Sequence, residues 1–295
     1  MMIFVLLLLL VASASADPPV VFCQTCVKVS SHCHNVTHVL DLPANFRKDV
    51  VIRKLEILRS KNILFYSYEP EIVDPEYYKT AFINLDNINE HGVVTNGNAT
   101  KNFGTFDIDQ NNEVVYLGGS DGIYAIHTKN SSLNTTTAFS SRDDDIVSIF
   151  YRNNVYFVKT SENKIKQKKG SEFFDHIPAI KIGAVKNFVI DKNYFTIFLN
   201  STGLYVTDRD QTARLSNNAF FRGLTIDLES VVHAWWVDGI YRIILNRDLS
   251  KSAIVKIADI PKVGAVTFDN DDNIIFTYGR SLFRLTKTNE TVQCP

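Results

Sequence analysis

Apolar and polar positions in this chain alternate in short β-type runs, with no helical period between them. The same unit returns six times: "LEILRSKNILFYSY" (55–68), "TFDIDQNNEVVYLGG" (105–119), "VSIFYRNNVYFVK" (147–159), "NFVIDKNYFTIFLN" (187–200), "GLTIDLESVVHAWWV" (223–237) and "AVTFDNDDNIIFTY" (265–278). Each copy has an apolar strand, a polar turn of about four residues, and a second strand rich in Val, Ile, Phe, Tyr or Trp. The pivot before the turn falls at Leu58, Asp109, Phe150, Asp191, Asp227 and Asp269. An Asp there suits a carboxylate that accepts backbone N–H groups of the turn it precedes.

A third strand follows in "SDGIYAI", "STGLYVT", "VDGIYRI" and "GRSLFRL" (120–126, 201–207, 237–243, 279–285), with a degenerate copy in "SENKIKQ". Outer strands are expected at 92–97, 135–140, 173–179, 212–217 and 252–260. Self-similar β-units spaced about forty residues apart predict an all-β, six-bladed β-propeller. The sixth unit has no room for its own outer strand, whereas "VTHVLDLP" (36–43) has no blade of its own. That early strand is expected to complete blade six, so that N- and C-terminal segments close the ring and leave no long open sheet edge.

Processing signals change where this propeller belongs. The opening "MMIFVLLLLLVASASA" is an apolar run ending in small residues, read as a signal peptide over 1–16. The rest, 17–295, then forms a single secreted domain with a Cys-containing segment at 17–35. No later run is long enough to span a bilayer. Six sequons, at Asn35, Asn98, Asn130, Asn134, Asn200 and Asn289, point to a glycoprotein. Cys23, Cys26, Cys33 and Cys294 are read as disulfide-bonded in the oxidising secretory route, rather than as a zinc knuckle with His32 and His34. One early cysteine is expected to pair with Cys294; the spacing leaves open which.

Net charge is −1, which offers no field for nucleic acid. Propeller ligands sit at a mouth of the central channel. The loops expected there carry Tyr68, Phe103, Gly118, Gly119, Lys186, Arg222, Trp236 and Tyr278, with Arg53 beside them. Aromatic and cationic residues together suit a flat, partly anionic aromatic molecule, through stacking and charge-assisted hydrogen bonds. Trp235 and Trp236 are neighbours in a strand and face opposite sides, so one of them packs between blades. The run Arg142 to Asp145 and the basic "KIKQKKG" (164–170) read as solvated edges.

Catalytic signatures are missing: there is no G-x-S-x-G, no H-E-x-x-H and no cysteine outside the disulfide set. No cofactor and no metal are expected. A metal-dependent lactonase on this fold is the enzyme alternative, with Asp145, Asn187 and Asn102 as its ligands. The gluconolactonase class opens on Glu-x-Pro-x-Trp, which is absent, and Arg53 stands near that place. A protein-binding propeller is the third class.

The Cys-containing N-terminal segment, "NILFYSYE" (62–69) and "YLGGSDGIYAI" (116–126) resemble the insect ommochrome-binding proteins. The resemblance implies a secreted haemolymph protein that binds tryptophan-derived phenoxazinone pigments or their precursors, without catalysis. Within "YLGGSDGIYAI" the glycines lead into a strand and not into a helix N-terminus, so they form no phosphate cradle. Asp121-Gly122 reads as hairpin chemistry. Gly118 and Gly119 have no counterpart in the other copies and are expected to clear space at the mouth.

Overall fold

The computed structural model describes residues 26–95, 100–130, 132–160, 162–177, 183–208 and 210–288. The signal-peptide reading, Cys23, Cys294, Asn98 and Asn289 lie outside the described residues. Within them the chain is all-β, with two short 3₁₀ turns. A hairpin of β1 (Cys26–Val29) and β2 (His32–Asp41) comes first. Four four-stranded antiparallel meanders follow: β3 (Ile52–Leu58), β4 (Ile63–Tyr68), β5 (Lys79–Asn84) and β6 (His91–Val93); β7 (Thr105–Asp109), β8 (Val114–Gly119), β9 (Gly122–His127) and β10 (Thr137–Ser140); β11 (Ile146–Arg152), β12 (Asn154–Lys159), β13 (Ile165–Lys169) and β14 (Glu172–Ile177); β15 (Asn187–Ile190), β16 (Thr196–Asn200), β17 (Gly203–Thr207) and β18 (Thr212–Ser216).

The remaining strands are β19 (Gly223–Ile226), β20 (Val232–Trp236), β21 (Gly239–Ile244), β22 (Ala253–Asp259), β23 (Val263–Phe268), β24 (Ile274–Tyr278) and β25 (Ser281–Lys287). They join the N-terminal hairpin in one nine-stranded sheet, ordered β19-β20-β21-β22-β1-β2-β25-β24-β23. The link between its halves is slight, a single register pair of Val29 with Ala258. The early strand pairs with the last one, from His34 opposite Lys287 to Asp41 opposite Ser281. The two ends of the described chain therefore meet in one sheet.

The first strand of each meander faces inward. Neighbouring inner strands touch in the order β3, β7, β11, β15, β19, β23, and β23 returns to β3. A closed ring of inner strands around a channel gives a propeller-like architecture. Apolar side chains pack between successive sheets, with Trp235, Tyr66, Phe65, Phe106, Phe157, Phe188 and Phe198 fully buried. Trp235 fills the space over Gly223, where an added Cβ would lie 2.3 Å from the indole. Its Nε1 donates to the Gly264 carbonyl at 2.8 Å, which satisfies the buried ring nitrogen.

Turn chemistry explains the repeat. Asp109 Oδ1 accepts the Asn111 and Asn112 N–H groups, and Asp191 Oδ1 accepts those of Asn193 and Phe195. Asp227 takes the Glu229 and Val231 N–H groups, and Asp269 those of Asp271 and Asn273. Four pivots thus use one device, an Asx-type turn. Leu58 and Phe150 lack the carboxylate; their turns keep only the left-handed residue that the Asp turns also hold at Glu113, Tyr194, Ser230 and Asp272, here Asn62 (φ 50°) and Asn153 (φ 59°). The glycine opening the third strand recurs for a second reason. Gly122, Gly203 and Gly239 have φ of 99°, 143° and 152°, and a Cβ on each would meet a carbonyl oxygen in or just past the outer strand, of Ser141, Ser216 and Ala258, at 2.5, 2.1 and 2.0 Å.

Candidate functional site

The six inner strands run the same way through the channel, so one mouth collects their first residues and the other their last. At the entry mouth is a cavity of about 150 Å³ lined by Arg53, Lys54, Gly104, Thr105, Val147, Lys186, Asn187, Leu199, Asn200, Ala219, Phe221 and Arg222. Four of these side chains are cations and none is a carboxylate. Arg53 holds its guanidinium 4.3 Å from the centre of the Tyr78 ring. Arg222 Nη1 donates to the Val263 carbonyl at 3.0 Å, which fixes the guanidinium at the rim. Asn187 Oδ1 is buried there without a hydrogen-bond partner.

Lys54 forms the floor. Its Nζ donates to the Phe106 carbonyl and to Asp107, and lies 3.4 Å from Glu56 Oε2. Burial alone would lower its pKa, yet the Asp107 and Glu56 carboxylates hold it above the usual lysine value. Glu56 behaves in the opposite way. Burial, then the charge of Asp107, pushes its carboxyl well above the ordinary range against the pull of Lys54 and Arg59. Lys54 also lines a second cavity beyond it, of about 220 Å³, at the turn mouth. That space draws on all six inner strands, from Glu56 on β3 through Asp107, Tyr151, Val189 and Leu224 to Thr267.

Of the residues read from sequence for a ligand, Arg53, Lys186 and Arg222 come together at the entry cavity. The others are placed elsewhere. Tyr68 is a core residue, 2 % exposed, with its ring edge-on to Phe46 at 5.0 Å; burial pushes its phenol up to about 12. Phe103 is buried edge-on to Tyr124. Trp236 is half-buried against apolar neighbours, and Tyr278 is exposed at the end of β24; neither lines the entry or the turn cavity. Gly118 and Gly119 clear no ligand space. A Cβ on Gly118 would meet Ile146 and Thr105 at 2.7 Å, and one on Gly119 would meet the Lys101 carbonyl at 2.2 Å. They admit the incoming chain, whose Lys101 carbonyl accepts the Ser120 N–H.

Sequence reading missed Lys54, Glu56 and Asp107. Their signal was the period of two: in "VVIRKLEIL" Lys54 and Glu56 share one strand face, alternating with Leu55 and Ile57 on the other. Charges on the innermost strand of such a ring face the channel. Of the residues weighed as metal ligands, Asn187 lines the entry cavity, whereas Asn102 and Asp145 are engaged elsewhere. Asn102 Oδ1 accepts the Tyr77 N–H, and Asp145 Oδ2 accepts the Thr160 hydroxyl at 2.7 Å. Among the described residues no group of three or more His, Cys, Asp or Glu is arranged for a metal.

The sequons divide as well. Asn35, Asn130 and Asn134 are exposed. Asn200 is 1 % exposed, and its Oδ1 takes the Thr202 and Gly203 N–H groups, so it serves the β16–β17 hairpin and offers no surface amide for a glycan. Cys26 and Cys33, the described cysteines, are not free thiols.

Fold and site together define a propeller-type protein with a mouth lined by cations, and comparison with known proteins agrees on the class. No family model matches the chain. It resembles the ommochrome-binding protein of Manduca sexta, with 23 % identity over 232 residues, 76 % of this chain and 80 % of that protein. Among solved structures, a streptogramin B lyase superposes with a TM-score of 0.59 at 8 % identity, over 86 % of this chain and 98 % of that one. The WD40 β-propeller domain of Doa1 gives 0.53 at 12 % identity, over 87 % and 98 %. A lyase and a WD40 domain fit about equally, so these likenesses speak for the fold alone.

Proposed function

We propose that this chain is a secreted, non-catalytic, six-bladed propeller whose entry mouth binds a planar aromatic anion of the ommochrome class. The nine-stranded sheet is then blades five and six, bridged by β1, and a Cys294 bridge to an early cysteine locks their closure. One observation carries the ligand reading: Arg53, Lys186 and Arg222, none of them in an ion pair among the described residues, stand over a floor of Lys54, already paired with Asp107 and Glu56, around a cavity with no carboxylate in its wall. Cations gathered without counterions attract a ligand that brings its own negative charge.

The cavity takes the carboxylate-bearing end of the ligand, since about 150 Å³ is below the size of a drug-like pocket. The ring system lies outward on the rim, where Phe220 is 74 % exposed beside Phe221 and where Arg53 stacks on Tyr78. Resemblance to an ommochrome-binding protein supports the same ligand class.

Titration of the purified chain with an ommochrome, followed by the visible spectrum of the pigment and by tryptophan fluorescence, tests this. Saturable micromolar binding that weakens in Arg222→Met is the expected result. Metal-dependent hydrolysis of a lactone, with no pigment bound, would replace the reading with the enzymatic one.

A further inference from the structure

The turn-mouth cavity has a different chemistry that the pigment reading does not use. Its charged side chains can be sorted by partner. Lys54 is tied to Asp107, whose second oxygen accepts the Tyr151 N–H at 2.6 Å. Asp227 is held by His233 Nε2 at 3.0 Å and by the backbone of its own turn. Three groups keep capacity for a further partner. Glu56 Oε2 is buried and accepts no well-formed hydrogen bond, its one contact being the 3.4 Å ion pair with Lys54, which Asp107 also engages, and Arg59 Nε is buried and donates none. Arg152 gives its Nε to the Ile190 carbonyl. Among the described residues neither Arg59 nor Arg152 forms an ion pair, although the charge of Arg59 is felt at Glu56.

A buried acceptor without a donor and a buried donor without an acceptor each cost about 1–3 kcal/mol when nothing satisfies them. Here both residues line one cavity of about 220 Å³ whose remaining wall includes Ile57, Ile108 and Phe268. A guest that satisfies both must carry a positive donor and a negative acceptor a few ångströms apart, on a small body. We propose that the turn mouth is a second binding site, for a free α-amino acid. The ammonium faces Glu56, the carboxylate faces Arg59 and Arg152, and the side chain lies along the apolar wall.

Lys54 separates this site from the entry cavity, so the two ligands are held on opposite sides of one lysine. Binding also moves a proton. Burial and Asp107 favour the neutral Glu56 carboxyl in the empty protein, and an ammonium beside it favours the carboxylate, so the amino acid displaces a proton on entry.

Isothermal titration of the full chain with L-leucine, L-phenylalanine, L-glutamate and glycine tests the proposal, with N-acetyl and amide-blocked counterparts as controls. At least one free amino acid is expected to bind, with each blocked form at least tenfold weaker. The heat should change between buffers of different ionisation enthalpy, which reports the released proton. Glu56→Gln and, independently, Arg59→Met should each weaken binding at least tenfold, whereas Lys186→Met should leave it unchanged. Absence of binding by all four amino acids at millimolar concentration would overturn the proposal. So would binding that tolerates blocked termini, or binding that survives both cavity substitutions. None of these results bears on the pigment titration, which reads the other mouth.

Discussion

The two mouths of the channel are built from the same six strands and differ in what those strands leave unpaired. At the entry end the wall holds Arg53, Lys186 and Arg222 with no acid among them; at the turn end three carboxylates face three cations. The difference shows that a propeller sets the place of a site through its ring, while single residues at strand ends set its chemistry. Lys54 is the hinge of the comparison because its side chain belongs to both cavities.

Removing that hinge has the largest expected effect. Lys54→Met strands Asp107 and Glu56 around a buried space without their cation. The side chains of Lys54 and Asp107 are 18 % and 8 % exposed, so solvent replaces little of the lost contact. Breaking a buried pair by deleting one partner costs about 3–5 kcal/mol. Urea unfolding should show a loss of that order near neutral pH. A loss below about 1 kcal/mol would mean that the floor is solvated and that the two mouths form one continuous pore.

Next in size is the double variant Lys186→Met, Arg222→Met. Both side chains are exposed, so each contact to a bound carboxylate is expected to be worth about tenfold in affinity, ~1.4 kcal/mol. Pigment affinity should fall roughly a hundredfold with unfolding midpoints unchanged. Arg59→Met at the opposite mouth should leave pigment affinity as it was. If the two variants act alike, the contrast between the mouths is wrong.

How far this contrast could be read from sequence depends on the kind of residue. The repeat was legible because Asp109, Asp191, Asp227 and Asp269 each solve the same local problem, capping the N–H groups of a tight turn. The N-terminal strand was legible because the last unit lacked a partner, and it pairs with Ser281–Lys287. Lys186 and Arg222 were found because they immediately precede, or stand just short of, an inner strand. Tyr68, Phe103, Gly118 and Gly119 occupy strand ends and loops on the same face, yet they serve packing. Which way a strand-end side chain turns depends on the neighbouring sheet, and sequence separation conceals that. Ile146, 28 residues on, is what Gly118 makes room for.

A third test acts through pH. Glu56 has its pKa raised in the folded protein, so between its unfolded value of about 4.3 and the higher folded value the native state binds more protons than the unfolded one. Stability from this group is therefore complete below about pH 4.3 and declines as pH rises toward the folded value. Glu56→Gln removes the titration, so the variant should lose less stability than the parent between pH 5 and 8. Thermal unfolding across that range measures the difference. A parallel pair of curves would place Glu56 in water and remove the chemical distinction of the turn mouth.

The smallest effect comes from a cation on the entry face that is already spent. Lys101 donates to Asp121, which also accepts the Asp143 N–H at 3.1 Å and the Tyr124 hydroxyl at 3.0 Å. The Lys101 hydrogen bond, followed by those from Asp143 and Tyr124, lowers the Asp121 carboxyl to about 2. A depressed pKa gives stability that is present above the unfolded value of about 3.9 and is lost as pH falls toward the folded one. The pair lies near the surface, so Asp121→Asn should cost below about 1 kcal/mol at pH 7 and nothing measurable near pH 2. Lys101→Met should leave pigment affinity unchanged, because its charge is answered within the protein. If Lys101→Met weakens the pigment as much as Lys186→Met does, then net positive charge on that face draws the ligand, and the acid-free wall of the cavity does not.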